Sequence, residues 1–327
     1  MRYLRPLMQV GPARPQGARR FGACWYTQVE VLARDADPYV VGLEDLPEED
    51  LARFSEGVVA PQVMGILNTT PDSFSDGGQH SGTADAVAHG QALVRHGAQI
   101  IDVGGESTRP GAQLVPVEEE IARTAPVIRA LREAGVKPPI SIDTRKAAVA
   151  EAALDAGATL VNDVSGFTFD AGLAPLCAAR GVPVCVMHAQ GDPQTMQDNP
   201  RYDDVLLDVY DFLDRRISAL VEAGIDRGQI IADPGIGFGK TLDHNLALLQ
   251  RISLFHGLGV PILLGVSRKR FIGTLAHVPD AADRGPGSVG VALAALGQGV
   301  QIIRAHDVAD HAQAIALWRA AVAHPEA

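Results

Sequence analysis

The fold this chain predicts is an α/β structure, a TIM-type (β/α)8 barrel preceded by an N-terminal extension, and three observations point to it. Eight short, nearly continuous apolar runs recur from residue 62 onward. Amphipathic, alanine-rich segments lie between them. No G-x-G-x-x-G follows the first run, as it would in the alternative, an open doubly wound sheet.

The eight runs are VMGIL (63–67), QIIDVG (99–104), PISID (139–143), TLVND (159–163), PVCVM (183–187), QIIAD (229–233), PILLGV (261–266) and QIIRA (301–305). Strands covered on both faces read this way, apolar throughout rather than alternating. Seven intervening segments, among them VEEEIARTAPVIRALREAG and YDDVLLDVYDFLDRRISALVEAG, carry apolar residues at helical spacing. Many of them end in glycine, the usual helix stop. Residues 61–327 therefore form the barrel. Residues 1–60 lack the rhythm and combine GPARPQGARR with the acidic LEDLPEEDLARF. They are read as an extension with a short helix over 47–54 and a solvated charged face.

Composition narrows the partners. The net charge of −11 over 327 residues argues against nucleic acid or an anionic membrane as a partner through a basic surface. No apolar run approaches the roughly 20 residues of a membrane span. The N-terminus carries no apolar leader core, so a cytoplasmic location is expected. Cys24, Cys177 and Cys185 form no CxxC and read as buried thiols.

In a barrel of this kind, functional groups gather at the C-terminal strand ends and in the loops that follow. Each run is followed by polar residues there: Asn68 and the loop NTTPDSFSDGG; Asp102 and then GESTRPGA with Glu106, Thr108 and Arg109; Asp143 and Arg145; Asn162 and Asp163; His188; Asp233; Ser267, Arg268, Lys269 and Arg270; Arg304, His306 and Asp307. The N-terminal ends carry Pro, Gln and Thr and no charges. That asymmetry locates an active site. Asp143, Asn162 and Asp233 are acceptor-rich and suit the N–H edge of a flat heterocycle. Arg304, His306, Arg109 and Asn68 suit an oxyanion such as phosphate, and Asn68 with the first-loop aspartates suits Mg2+. Lys269 spans the two sets. Asp102 and Asp163 have a structural reading as loop hydrogen-bond partners, Arg145 as the partner of a barrel carboxylate, and His188 as a buried supporting residue.

The stretch DPGIGFGKT (233–241) ends like a phosphate-binding P-loop, but Pro234 stands where that pattern opens with glycine. Lys240 is accordingly read as a solvated lysine and Thr241 as a helix N-cap.

Seven motifs in order, GILNTTPDSFSDGG, IDVGGESTRPGA, SIDTRK, VNDVSG, DPGIGFGK, SRKRFIG and IIRAHDV, make the chain between residues 63 and 307 resemble the dihydropteroate synthase family of folate biosynthesis. The resemblance implies a homodimeric barrel that condenses 6-hydroxymethyl-7,8-dihydropterin diphosphate with 4-aminobenzoate, using Mg2+. It implies that Asn68 contacts the Mg2+ and diphosphate. Asp143, Asn162, Asp233 and Lys269 would bind the pterin, Thr108 the pterin diphosphate, and Arg304 and His306 the diphosphate. Phe74, Arg109, Pro110, Phe238 and Ser267 would surround the aminobenzoate. Asp143, Lys269, Arg304 and His306 would carry the catalysis. Two positions depart from the family pattern: Ile236, where relatives often have Phe, and Arg270, which bears on how the aminobenzoate carboxylate is anchored. The rival readings are a pterin-binding corrinoid methyltransferase and a noncatalytic pterin-binding barrel. The first would not need the first two loops, Lys269 or the Arg304/His306 pair, and the second would bind its ligand without turnover.

Overall fold

The structure, a computed structural model, describes residues 2–56, 60–70, 79–107, 111–192 and 195–322, and only the backbone of 55, 56 and 79–81. The extension is folded. Strands β1 (Tyr3–Pro6), β4 (Gln28–Ala33) and β5 (Ala36–Gly42) form an antiparallel sheet in the order β1-β4-β5. A hairpin joins β2 (Arg19–Phe21) to β3 (Cys24–Tyr26), and α1 (Glu48–Glu56) follows. The helix starts within one residue of its expected place, just after Pro47. The strands were not legible: β1, β2, β4 and β5 carry charged residues, and β3 is only three residues long.

All eight apolar runs are strands: β6 (Gln62–Asn68), β7 (Ile100–Gly104), β8 (Ile140–Asp143), β9 (Leu160–Asp163), β10 (Val184–Met187), β11 (Ile230–Asp233), β12 (Leu263–Gly265) and β13 (Ile302–Ala305). They run parallel in the order β11-β10-β9-β8-β7-β6-β13-β12. The ring closes between β11 and β12 through one bridge, Ala232 to Ile262, with Ala232 N–H donating to Pro261 O at 2.9 Å. Around it lie α2 (Gln79–Arg95), α3 (Val117–Glu133), α4 (Ala147–Asp155), α5 (Leu173–Arg180), α6 (Val205–Glu222), α7 (Leu242–Gln250), α8 (Arg270–Ala276), α9 (Gly285–Leu296) and α10 (Val308–Val322). The short α8 and the terminal α10 join the seven helical segments expected from periodicity.

Strand alternation sets the barrel interior. Met64, Ile100, Leu160, Cys185, Ile231, Leu263 and Ile302 form one buried apolar cluster. Two residues further along five of these strands, on the same face, stand Asp102, Asn162, Asp233, Gly265 and Arg304. The polar layer thus rests on an apolar plug, and strand geometry fixes its height.

The extension packs at the other end. Phe21 lies on His256, with ring centroids 4.4 Å apart, and Cys24 Sγ donates to Leu296 O at 3.3 Å. These partners sit in the segments that lead into β12 and β13. Tyr3 meets Tyr210 of α6 edge-on, and its hydroxyl donates to Asp211 at 3.0 Å. The extension also has a small core of its own, with Tyr26 edge-on to Phe54 beside Val29, Val31 and Leu51.

Candidate active site

The polar layer is a connected network. Arg304 Nε donates to Asp102 Oδ2 at 2.6 Å, and an Nη of the same guanidinium donates to Asp143 Oδ2 at 2.9 Å. Asn162 Nδ2 donates to Asp102 Oδ2 at 3.3 Å. Arg304 therefore stands among the carboxylates, spanning Asp102 and Asp143, whereas residue chemistry alone had grouped it with His306. His306 is held by Ser267, whose Oγ accepts from the His306 amide at 3.0 Å and lies 2.9 Å from Nδ1. Asp102, fully buried, orients both Arg304 and Asn162.

Glycines leave the cavity open. A Cβ on Gly104 would lie 3.9 Å from Asp143 Oδ2 and 4.0 Å from Asn68 Oδ1, so those two oxygens flank one space. A Cβ on Gly265 would lie 3.8 Å from Asp233 Oδ2 and 4.0 Å from Lys269 Nζ. The other Asp233 oxygen accepts from Gly235 N–H at 2.7 Å. Lys269 Nζ donates to Ile236 O and stands 4.6 Å over the Phe238 ring. Asn68, Asp143, Asn162, Asp233, Lys269, Arg304, His306, Ser267 and Phe238 are all placed at the C-terminal end of the barrel. Arg270 is exposed at the first residue of α8. Phe74, Thr108, Arg109 and Pro110 lie outside the described residues.

Burial perturbs the ionisable groups here. Two carboxylates share one guanidinium, and burial with the Asp102 charge pushes Asp143 up to about 8 against the pull of Arg304. Burial also raises Asp233, with Lys269 opposing. Burial lowers Lys269 to about 8, with Asp233 opposing.

Three residues behave otherwise than the sequence implied, or went unseen. Lys240 is 3% exposed, not solvated. Thr241 does cap α7, its Oγ accepting from His244 N–H at 3.2 Å in a capping box. Asp163 takes its structural reading, accepting from Ser165 N–H at 2.6 Å and Phe167 N–H at 2.7 Å. Arg145 pairs with Glu106 at 2.6 Å, and Lys146 bridges Glu106 (2.7 Å) and Glu120 (2.5 Å). That buried network ties the start of the second loop to α3. Lys146 and Glu120 were not singled out, because the partners lie 26 to 40 residues apart in sequence.

The profile of the pterin binding enzyme family matches residues 64–306. The dihydropteroate synthase of Escherichia coli (strain K12) is 45% identical over 266 residues, which is 81% of this chain and 93% of the relative. The chain belongs to the dihydropteroate synthases. Two solved structures of dihydropteroate synthases agree. One, from Yersinia pestis in complex with a sulfonamide drug, is 46% identical with a TM-score of 0.75, covering 80% of this chain and 94% of its own. The other, from Xanthomonas albilineans with 4-aminobenzoic acid, is 46% identical with a TM-score of 0.75, covering 80% and 93%. The family match begins at Met64 in β6 and ends at His306 just past β13. The folded extension lies outside it.

Proposed function

We propose that the barrel mouth condenses 6-hydroxymethyl-7,8-dihydropterin diphosphate with 4-aminobenzoate to give 7,8-dihydropteroate and diphosphate, in folate biosynthesis. The observation that supports this reading is the polar layer above an apolar plug, with Asp143 beside the open space at Gly104, Asp233 and Lys269 beside the one at Gly265, and Asn162 tied to Asp102. Asp233 Oδ2 and Asn162 supply acceptors for the ring N–H edge, and Lys269 supplies the opposing donor. Thr108 is assigned to the pterin diphosphate; Phe74, Arg109 and Pro110 are assigned, with Phe238 and Ser267, to the aminobenzoate.

The step breaks the carbon–oxygen bond between the pterin methylene and diphosphate. It forms a carbon–nitrogen bond to the arylamine, whose proton leaves to solvent. Carboxylates beneath the ring favour the positive charge that develops as the bond breaks. The Arg304 guanidinium, released from Asp143, and His306 favour the departing oxyanion. Mg2+ is the expected cofactor, and it would neutralise charge on the leaving group. Among the described residues no group of three or more His, Cys, Asp or Glu could hold a metal. A Mg2+ that takes phosphate oxygens and waters needs only one or two protein ligands, and Asn68 Oδ1 beside Gly104 fits that need. A homodimer in the cytoplasm is the assembly and location expected with this activity. Among the described residues no helix is long and apolar enough to cross a membrane.

Incubating the protein with dihydropterin diphosphate, 4-aminobenzoate and Mg2+ tests the reading. Diphosphate and dihydropteroate should appear in equal amounts. Pterin binding without either product would leave only a binding barrel.

A further inference from the structure

Lys240 lies outside the polar layer, yet it is buried among acceptors. Its ammonium donates to Gly235 O at 2.9 Å and Phe238 O at 3.1 Å, and lies 2.8 Å from His188 Nδ1. His188 O is farther, at 3.5 Å. Burial pushes Lys240 well below the ordinary lysine range with Asp233 opposing, and the three close acceptors match the three N–H bonds of its ammonium form. His188 Nδ1 accepts only from the neutral ring with its hydrogen on Nε2. Burial and the Lys240 charge hold His188 well below the ordinary imidazole range, in keeping with that tautomer. The ring is wedged between Tyr202 and Phe212, at 5.9 and 4.8 Å between centroids.

The two carbonyls belong to the loop between Asp233 and α7. Gly235, Gly237 and Gly239 there have φ of +68°, +83° and +62°. A Cβ at Gly235 would run into the His188 carbonyl, and one at Gly239 into that of Gln190, so the loop is pressed against the end of β10. Other carbonyls of the loop are tied outward: Gly237 O accepts from Gln197 at 2.7 Å and Gly239 O from the Tyr202 hydroxyl at 2.7 Å. Lys240 instead binds the loop across itself, from residue 240 back to 235 and 238. Between those two anchors lies Ile236, whose carbonyl receives Lys269, and at the second stands the ring under Lys269.

We propose that Lys240, seated on neutral His188, is a positioning residue: it fixes the 235–239 loop so that Ile236 O and the Phe238 ring hold the Lys269 ammonium beside Asp233. The proposal rests on the assignment of Lys269 to the pterin diphosphate site.

A double-mutant cycle read by calorimetric binding of dihydropterin diphosphate tests it, with thermal melts as the control for folding. Lys240→Met should weaken binding about tenfold in the otherwise unchanged chain, and less than twofold in a Lys269→Met background. Full additivity of the two substitutions, or unchanged affinity in Lys240→Met, overturns the proposal. Absence of binding to the unsubstituted chain would instead overturn the assignment of the site. Should Lys240→Met not fold, His188 decides. His188→Gln keeps an acceptor and should retain most of the affinity, whereas His188→Leu should lose about tenfold. Equal affinities for these two variants overturn the proposal.

Discussion

The two ends of the barrel are built on opposite rules. At the C-terminal end the buried Asp102, Asp143 and Asp233 crowd with the half-buried Lys269 and Arg304, and glycines at 104 and 265 leave space open beside them. At the N-terminal end the strands begin with uncharged groups. Gln99 Oε1 accepts from Val63 N–H at 2.8 Å, Gln301 Oε1 accepts from Ile262 N–H at 2.8 Å, and prolines 139, 183 and 261 stand just before their strands. There the extension covers the segments leading into β12 and β13 with Phe21 and Cys24, and α6 with Tyr3. One end holds charge that a ligand can use. The other is largely apolar, and contributes stability. Substitutions at the two ends should therefore separate activity from stability.

The largest expected effect is at the mouth. Lys269→Ala or Asp233→Ala removes one of two groups that face the space at Gly265, and loss of a charged group that a bound ligand uses there costs about 3–5 kcal/mol in transition-state or ligand stabilisation. At about 1.4 kcal/mol per decade, kcat/KM should fall roughly 10²- to 4 × 10³-fold. The melting temperature should hold or rise for Asp233→Ala, which lowers the excess of buried carboxylates over cations, and fall modestly for Lys269→Ala, which increases it. A melting temperature lowered as by a core cavity would show that the mouth is structural too. At the floor, Phe21→Ala empties the space on His256, and a Phe→Ala change in a core costs about 3–5 kcal/mol. Calorimetric melts should register that loss while kcat/KM changes less than about threefold. A large loss of activity from Phe21→Ala would break the division between the ends.

A smaller effect comes from pH. Below about 8 Lys269 is an ammonium; above it, burial has favoured the neutral amine. If binding of the pterin diphosphate uses the charged form, kcat/KM should fall about tenfold per pH unit above 8. Lys269→Arg should carry that limb beyond pH 10 at whatever activity remains. Asp143, pushed up to about 8 from the other direction, is its competitor for the assignment. Asp143→Asn should leave the limb in place; its disappearance would transfer the titration to the carboxyl.

How legible each end was follows from the range of the interactions that make it. The eight strands and the polar layer could be read because they depend on neighbours in sequence: an apolar run, then a polar residue on the same face at its end. Asp143, Asn162 and Asp233 are of this kind. Lys240 was misread because nothing within a few residues marks it as buried. Its burial depends on His188, 52 residues away, and on a loop folded back by three glycines. The ties of Lys146 to Glu106 and Glu120 were invisible for the same reason. In the extension, β1 pairs with β4 across more than twenty residues, with Tyr3 opposite Leu32, and its strands carry Arg5, Glu30 and Asp37, which hide the apolar alternation. The helix α1 needed only Pro47 and three acidic residues in its first turn, and it was read.

The smallest expected effect lies where the extension meets α6 at the surface. Arg34 donates to Asp208 at 2.7 Å and to Asp211 at 2.6 Å, and Asp211 also accepts from the Tyr3 hydroxyl. The guanidinium is more than a third exposed, so water screens it, and pairs of this kind contribute about 0–1 kcal/mol. Tyr3 is buried, and loss of its hydroxyl bond costs about 0.5–1.5 kcal/mol. Arg34→Ala should thus shift the midpoint of urea unfolding less than Tyr3→Phe, and 0.5 M salt should erase most of the Arg34 effect while leaving that of Tyr3. If Arg34→Ala proved the costlier change at high salt, the extension would be held to the barrel by charge, and the contrast between a charged mouth and an apolar floor would fail.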